Sequence, residues 1–355
     1  MTSDDLPNPP STFRCRQCGG ELAFAPGEDQ LTCPYCGTAN AIEVSDQSIE
    51  ELDYLTSLAE AADARETEER LAITCAACGA QSSLESDVTS GECPFCGTNV
   101  VLTGHSTRLI KPRALLPFAV DRSRALKAFR SWVASRWFAP NALKRLASTA
   151  KGIVGVYIPF WTYDCRSRSA YRGERGDEVS DTGGRRKTGG DRDIRWTPVT
   201  GTVIRGFDDI VVAGSESVPQ KHVDRLAPWN LEELVPYSDD YLAGFRAESY
   251  RLDLAQGFER ARKHIDRVIA DEVRRDIGGD RQRVHSVSTT CSDITFKHIL
   301  LPIWISAYRF NGKVFRFLVN ARSGEVQGDR PYSWIKIALA ILAGLTAIGA
   351  LIASC

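Results

Sequence analysis

The sequence predicts an α+β protein with two small N-terminal four-cysteine ribbons, an α+β body with antiparallel sheet and a degenerate internal repeat, and a C-terminal transmembrane helix. Three observations carry this expectation. Eight of the eleven cysteines fall into two copies of Cys-x2-Cys-x14-Cys-x2-Cys. The central region twice follows the order strand, helix, Pro-x-Trp strand. The last 19 residues, Ile337 to Cys355, carry no charge.

The quartets are Cys15, Cys18, Cys33, Cys36 and Cys75, Cys78, Cys93, Cys96, and a glycine follows each pair (Gly19, Gly37, Gly79, Gly97). Such a glycine lets the backbone turn tightly enough for two thiolates to meet one ion. Soft ligands in a closed four-coordinate shell describe structural Zn(II), so two structural zinc ions are expected. A disulfide framework is the alternative. It belongs to secreted chains with a signal peptide, whereas Met1 to Pro10 is polar and acidic. Within each quartet only 14 residues separate the pairs, against 38 between Cys36 and Cys75, so each site should close on itself. Segments Glu21–Phe24 and Gln30–Thr32 around Pro26-Gly27 read as a hairpin. Units of this size bury too little apolar surface to fold unaided, so metal should supply much of their stability. A closed shell offers no open coordination position, so hydrolytic chemistry is not expected there.

At the other end, the uncharged run is preceded by Tyr332, Trp334 and Lys336, which fit an aromatic interface belt and a snorkelling lysine. A buried core helix is the alternative, but the run has no polar face. The expectation is a single-pass C-terminal anchor, spanning 335–355, in a lipid bilayer. Arg330 and Lys336 before the run, and thiolates that need a reducing compartment, would place the bulk of the protein in the cytoplasm.

A net charge of −1 conceals a division. Residues 1–105 hold 18 acidic and 4 basic side chains, a balance of −14, and residues 106–355 hold 27 and 40, a balance of +13. The second ribbon carries Glu85, Asp87 and Glu92 without any Lys or Arg, so nucleic-acid binding through the ribbons is disfavoured. The basic remainder could face an anionic lipid leaflet or simply be a solvated surface.

In chain order, the predicted units are a zinc ribbon at 11–44, an acidic helical linker at 45–71, a second zinc ribbon at 72–103, and the body at 108–331. The linker has an N-cap at Ser45 or Ser48 and an apolar stripe of Ile49, Leu52, Leu55, Leu58 and Ala62. In the body, Leu115–Val120 reads as a strand, Asp121–Phe138 as an amphipathic helix and Ile153–Tyr163 as a strand containing Pro159-Phe160-Trp161. The second pass has strand-like Tyr250–Leu252, a helix over Leu254–Asp276 and a strand over Ile299–Tyr308 containing Pro302-Ile303-Trp304. Further strands are expected at Arg195–Ile204, Ile210–Ala213, Lys313–Asn320 and Glu325–Gln327, with the tryptophans in the core. The glycine-rich segment 173–193 reads as a flexible loop.

No GxSxG, HExxH, GxGxxG or P-loop pattern occurs, and the five histidines have no catalytic spacing, so no catalytic residue is assigned. Cys165 and Cys291 read as buried small hydrophobes.

The segments CRQCGG…CPYCG, CAACGA…CPFCG, RSWVASRWFAPNAL, GVYIPFWTYD, PWNLEELVPYSDDYLAGFRAESY, RRDIGGDRQRV, TFKHILLPIWISAYRF and NARSGEVQGDRPYSW together resemble a bacterial family of tail-anchored double-zinc-ribbon proteins, over nearly the whole chain. Its members carry labels such as primosomal protein N′ (replication factor Y), helicase-like, or transcription-factor-IIB-type zinc ribbon protein. The chain lacks a Walker A motif and the length for two RecA-like lobes, so a helicase is not expected. The resemblance also implies association with SPFH-domain proteins and stress-response membrane systems. The expected function is a non-enzymatic, membrane-anchored zinc-ribbon adaptor that recruits or organises cytosolic proteins. The alternative is a nucleic-acid-binding factor of replication or transcription.

Overall fold

The computed structural model describes residues 13–28, 30–42, 48–63, 67–74, 81–83, 90–92, 95, 99–101, 104–142, 152–179, 193–310, 313–329 and 331–353. A ribbon of β1 (Ala23–Phe24), β2 (Gln30–Thr32) and β3 (Ala39–Ala41) comes first, followed by β4 (Leu52–Asp53) and α1 (Tyr54–Asp63). Strands β5 (Thr67–Thr74), β6 (Gln81–Ser83), β7 (Ser90–Glu92), β8 (Asn99–Val101) and β9 (Gly104–Ile110) follow. The body comprises β10 (Ala114–Leu115), α2 (Arg122–Ala134), β11 (Val154–Glu178), β12 (Ile194–Ala213), β13 (Val235–Pro236), β14 (Arg246–Ala247), α3 (Leu254–Ile277), β15 (Arg281–Phe310), β16 (Lys313–Asn320) and β17 (Val326–Gly328). Helix α4 (Trp334–Ala353) closes the described chain.

The spine is the antiparallel pair β11 and β15, registered from Val154↔Ile305 to Gly176↔Arg281. On its free side each spine strand changes partner along its length, and β15 also takes β4 at Thr295 and Phe296. β11 pairs with β14 at Val156 and Tyr157, and then with β12 from Phe160 onward. β15 pairs with β10 at Ile299 and Leu300, and then with β16 from Ile303 onward. Pro159 and Pro302 stand at these two change-overs, where a strand residue needs no outward donor, so the missing N–H costs no ladder bond.

The two halves are tied by matching hydrogen bonds. The Pro159 carbonyl accepts from Gly214 N and the Pro302 carbonyl from Ala321 N. The Gly214 carbonyl accepts from Arg251 N and Leu252 N, and the Ala321 carbonyl from Ala119 N and Val120 N. Trp161 Nε1 donates to Leu252 O at 2.9 Å, and Trp304 Nε1 donates to Val120 O at 2.7 Å. Each acceptor lies immediately before the N-cap of the helix that belongs to the other half, so the halves exchange helices. The Pro-x-Trp repeat therefore marks a pseudo-symmetric body, and its tryptophans are buried in the core.

Both body helices follow from their sequences. Asp121 caps α2 by accepting from Ser123 N and Arg124 N, and Ala125, Phe129 and Val133, each one turn apart, are buried. Asp253 and Gln256 form a capping box on α3, whose apolar positions from Leu254 to Ile277 recur every three or four residues and pack on the inner face of β11, β12 and β15. On β11 the inner residues Cys165, Ser167, Ser169 and Tyr171 are buried and alternate with exposed Arg166, Arg168, Ala170 and Arg172.

The body is α+β with a predominantly antiparallel sheet, as expected, and contains two short parallel pairings, β10 with β15 and β11 with β14. Several expectations need correction. No helix among the described residues is long and apolar enough to cross a membrane, so the C-terminal transmembrane helix and the single-pass membrane localisation are withdrawn. The first turn of α4 belongs to the body: Ser333 N donates to Phe138 O at 2.8 Å, and Lys336 Nζ reaches Ala139 O and Asn141 Oδ1, both at 2.8 Å.

Among the described residues the linker is helical only over Tyr54–Asp63. Before it, Leu52–Asp53 pairs with Thr295 and Phe296 of the body, and after it Thr67–Thr74 is a strand. Regular structure also intrudes into 173–193, because β11 continues to Glu178 and β12 begins at Ile194; 180–192 lie outside the described residues. The two strands expected on either side of Arg205–Asp209 are one continuous strand, and Tyr250–Leu252 lies outside any strand.

Candidate metal centre

Cys15, Cys18, Cys33 and Cys36 converge, with their sulfurs all within 4.8 Å of one another, and could hold a metal ion. The two knuckles share one local design. Gly19 N donates to Cys15 O at 2.9 Å, as Gly37 N does to Cys33 O at 2.9 Å, and both glycines have φ +73°, a conformation that side chains with a Cβ avoid. Cys15 N and Cys33 N donate to Gly20 O and Thr38 O respectively, so each loop is closed from both ends.

The closest sulfur pairs are Cys15–Cys36 at 3.5 Å and Cys18–Cys33 at 3.4 Å. Four sulfurs at about 2.3 Å from a tetrahedral Zn(II) would stand about 3.8 Å apart, so the cluster fits the ion with only slight expansion. The Gly20 amide favours a Cys18 thiolate, but hydrogen bonds with Cys36 and Cys33 outweigh it and lift that thiol to about 12. The Thr38 hydroxyl leads the groups that bring Cys36 down to about 6. Without a cation the sulfurs must share protons. A divalent ion would remove that competition and ionise the set.

The ribbon is fixed to the body rather than tethered. Phe24 lies 5.3 Å from Tyr241 and 6.4 Å from Phe245, ring centre to ring centre, and Phe24 N donates to Ala243 O at 3.0 Å. Gly27 N donates to Phe118 O at 2.8 Å. Leu22, Phe24 and Leu31 share a buried cluster with Phe118, Tyr157 and Trp304.

The second expected quartet, Cys75, Cys78, Cys93 and Cys96, lies outside the described residues. Phe95, between its last two cysteines, is fully buried in the body among Leu116, Ile158 and Leu301. Its counterpart in the first ribbon, Tyr35, is 77% exposed, its ring lying over Gly20. The first ribbon also carries a groove lined by Arg16, Gln17, Thr38, Ala39, Asn40 and Ala41. Strand β3 forms the outer edge of the ribbon sheet, with its far side unpaired among the described residues.

Two groupings escaped the sequence reading. Lys297 is nearly buried and pairs with Glu51 at 2.8 Å and Asp209 at 2.9 Å. Asp164 accepts from Asp209 N at 2.5 Å, and burial together with a hydrogen bond to Glu51 raises its carboxyl to about 7. Burial opposes ionisation of Glu51 as well, but hydrogen bonds from Asp164, Lys297 and Thr295 prevail and hold it near 2. The second grouping is Cys165 with Cys291. The described histidines have ordinary surroundings: His222 meets Asp329 at 3.0 Å, and buried His298 rests on Trp161 and bonds Ile110 O.

The Uncharacterized protein YdjG of Bacillus subtilis (strain 168) is 26% identical to this chain over 340 residues, covering 92% of each protein. No family model matches the chain, and no solved structure matches it.

Proposed function

We propose that the protein is a non-enzymatic adaptor whose metal-organised first ribbon captures a partner protein at its outer tip. The observation that carries this reading is the contrast between Tyr35, 77% exposed, and Phe95, fully buried, at equivalent places in the two Cys-Pro-x-Cys knuckles. One aromatic is committed to the core. The other is exposed on a ribbon that also carries a groove and an open strand edge, and an edge with unpaired backbone groups accepts an added strand while an aromatic anchor supplies specificity. Structural zinc in Cys15, Cys18, Cys33 and Cys36 holds this tip, and a second zinc ion in Cys75, Cys78, Cys93 and Cys96 belongs to the same reading.

The test uses the purified full chain as bait, with an SPFH-domain protein, the partner implied by the family resemblance, as the first prey. Tyr35→Ala should weaken capture at least tenfold while zinc content and melting temperature stay within error. Capture unchanged by Tyr35→Ala would reject the tip as the recruiting surface.

A separate observation supports nucleic-acid binding by the body. The face of β11 turned away from α3 exposes Arg166, Arg168 and Arg172, flanked by Thr200 and Thr202 of β12 and by Ser286, Ser288 and Thr290 of β15. Arginines two residues apart on a strand lie about 6.7 Å apart, a spacing suited to successive phosphates, and hydroxyls on either side can donate to the same groups. Salt-dependent retention of single-stranded DNA, lost in Arg166→Glu with Arg168→Glu, would favour this second reading.

A further inference from the structure

Cys165 and Cys291 lie on adjacent spine strands under α3. Ser167 is the cross-strand partner of Cys291, so Cys165 is its diagonal neighbour on the same inner face, and each thiol perturbs the other's ionisation. Their surroundings differ. Cys165 is buried, whereas Cys291 is partly exposed. Cys165 also sits within a register irregularity of the spine between Asp164 and Arg166, opposite Asp293, whose φ is +52°. The extra residue of this bulge lies on β15, where Asp293 and Ile294 together oppose Cys165, and Cys165 keeps its pairing with Phe207 of β12 on the other side.

A cation completes the arrangement. Arg262 on α3 donates from Nη2 to Thr289 O at 3.0 Å, which anchors the guanidinium over β15 two residues from Cys291. The neighbouring Cys165 thiol, then the Arg262 charge, lower the Cys291 thiol to about 7, against the opposing effects of burial and Asp266. Cys165 moves the other way, raised by the Cys291 thiol, by burial and by nearby Asp164. An accessible low-pKa thiol next to a buried partner thiol is the arrangement of a peroxide-sensing pair.

We propose that Cys291 and Cys165 are a hydroperoxide-reactive site, with Cys291 as the attacking thiolate and Cys165 as the resolving thiol that closes a cross-strand disulfide. The Cys291 sulfur attacks the outer oxygen of a hydroperoxide. The O–O bond breaks, the remaining alkoxide or hydroxide leaves as an alcohol or water after taking a proton, and Cys291 becomes a sulfenic acid. Cys165, losing its proton, then attacks that sulfur and expels the hydroxyl as water. The two thiols give up two electrons, and one hydroperoxide is reduced to one alcohol (or water) and one water.

The test treats the full-length protein with hydrogen peroxide at neutral pH, blocks residual thiols, digests with trypsin and maps the peptides. Residues 152–166 and 284–297 each form one tryptic fragment with a single cysteine, so ribbon cysteines fall elsewhere. The expected product is a disulfide joining these two fragments. In Cys165→Ser, dimedone should label Cys291 as the trapped sulfenic acid, and in Cys291→Ser, Cys165 should stay reduced. Without peroxide, Cys291 should alkylate at pH 7 about threefold faster than an ordinary thiol, since its roughly sixteenfold larger thiolate fraction is offset about fivefold by lower intrinsic nucleophilicity. Both fragments remaining reduced while ribbon cysteines oxidise, linkage of Cys291 to a ribbon cysteine, or sulfenic acid forming first on Cys165 would each overturn the assignment. The wild-type linkage and alkylation rate need no substitution, so misfolding of a variant leaves the test intact.

Discussion

Single side chains carry the symmetry of the body. Trp161 and Trp304 each donate an indole N–H to a carbonyl just before a helix of the other half. Trp161→Phe should strand the Leu252 carbonyl and Trp304→Phe the Val120 carbonyl, each costing about 1–3 kcal/mol in urea unfolding with an unchanged slope. A loss in only one of the two variants would show that the halves are not energetically equivalent. The repeat and the core place of the two tryptophans were legible, because Pro-x-Trp recurs after a helix in both halves; the place of the prolines at the change-overs was not. The difference between Tyr35 and Phe95 was not: Cys-Pro-Tyr-Cys and Cys-Pro-Phe-Cys look interchangeable until the body claims one ring.

Between elements, the attachment of β4 to the body depends on protonation. Glu51 bonds Lys297 across 246 residues, a distance over which no local pattern in the sequence can speak. That is why the segment read as the start of a helix, whereas in the structure it is a strand added to β15. Asp164, raised from the usual 3.8 to about 7, keeps its proton in the folded state where the unfolded chain has lost it. Stability from this group therefore falls as pH rises from about 4 to 7 and is level above. Glu51, lowered from 4.5 to about 2, contributes stability that is present above 4.5 and is lost as pH falls toward 2. Asp164→Asn, a neutral side chain that still offers a donor to Glu51, should be more stable relative to wild type at pH 7.5 than at pH 4.5. Comparison of urea midpoints at these two pH values tests this, since the ribbon cysteines titrate alike in both proteins. An unchanged difference would mean that Asp164 ionises normally. The helices α2 and α3 needed no such long-range information, because Asp caps and apolar spacing of three to four residues mark them locally.

At the level of the whole molecule, composition was a weaker guide than spacing. The uncharged run at the C-terminus suggested a span, but the structure roots α4 on the body through Ser333 and Lys336 and shows no helix able to cross a membrane among the described residues. The cysteine spacing foretold the first four-sulfur cluster, since two glycine-backed knuckles bring four sulfurs together with little help from elsewhere. How the ribbon is seated was hidden, because Phe24 finds Tyr241 and Phe245 only once the body has folded. Phe24→Ala should accordingly cost about 3–5 kcal/mol although it touches no metal, a loss measurable by chemical unfolding of the zinc-loaded protein. The central claim is that thiolates on a divalent ion organise the recruiting tip. Native mass spectrometry of the full chain tests it most directly: wild type should carry two zinc ions and Cys33→Ser one, whereas a wild-type chain free of zinc, or a variant that keeps both ions or loses both, would contradict the account.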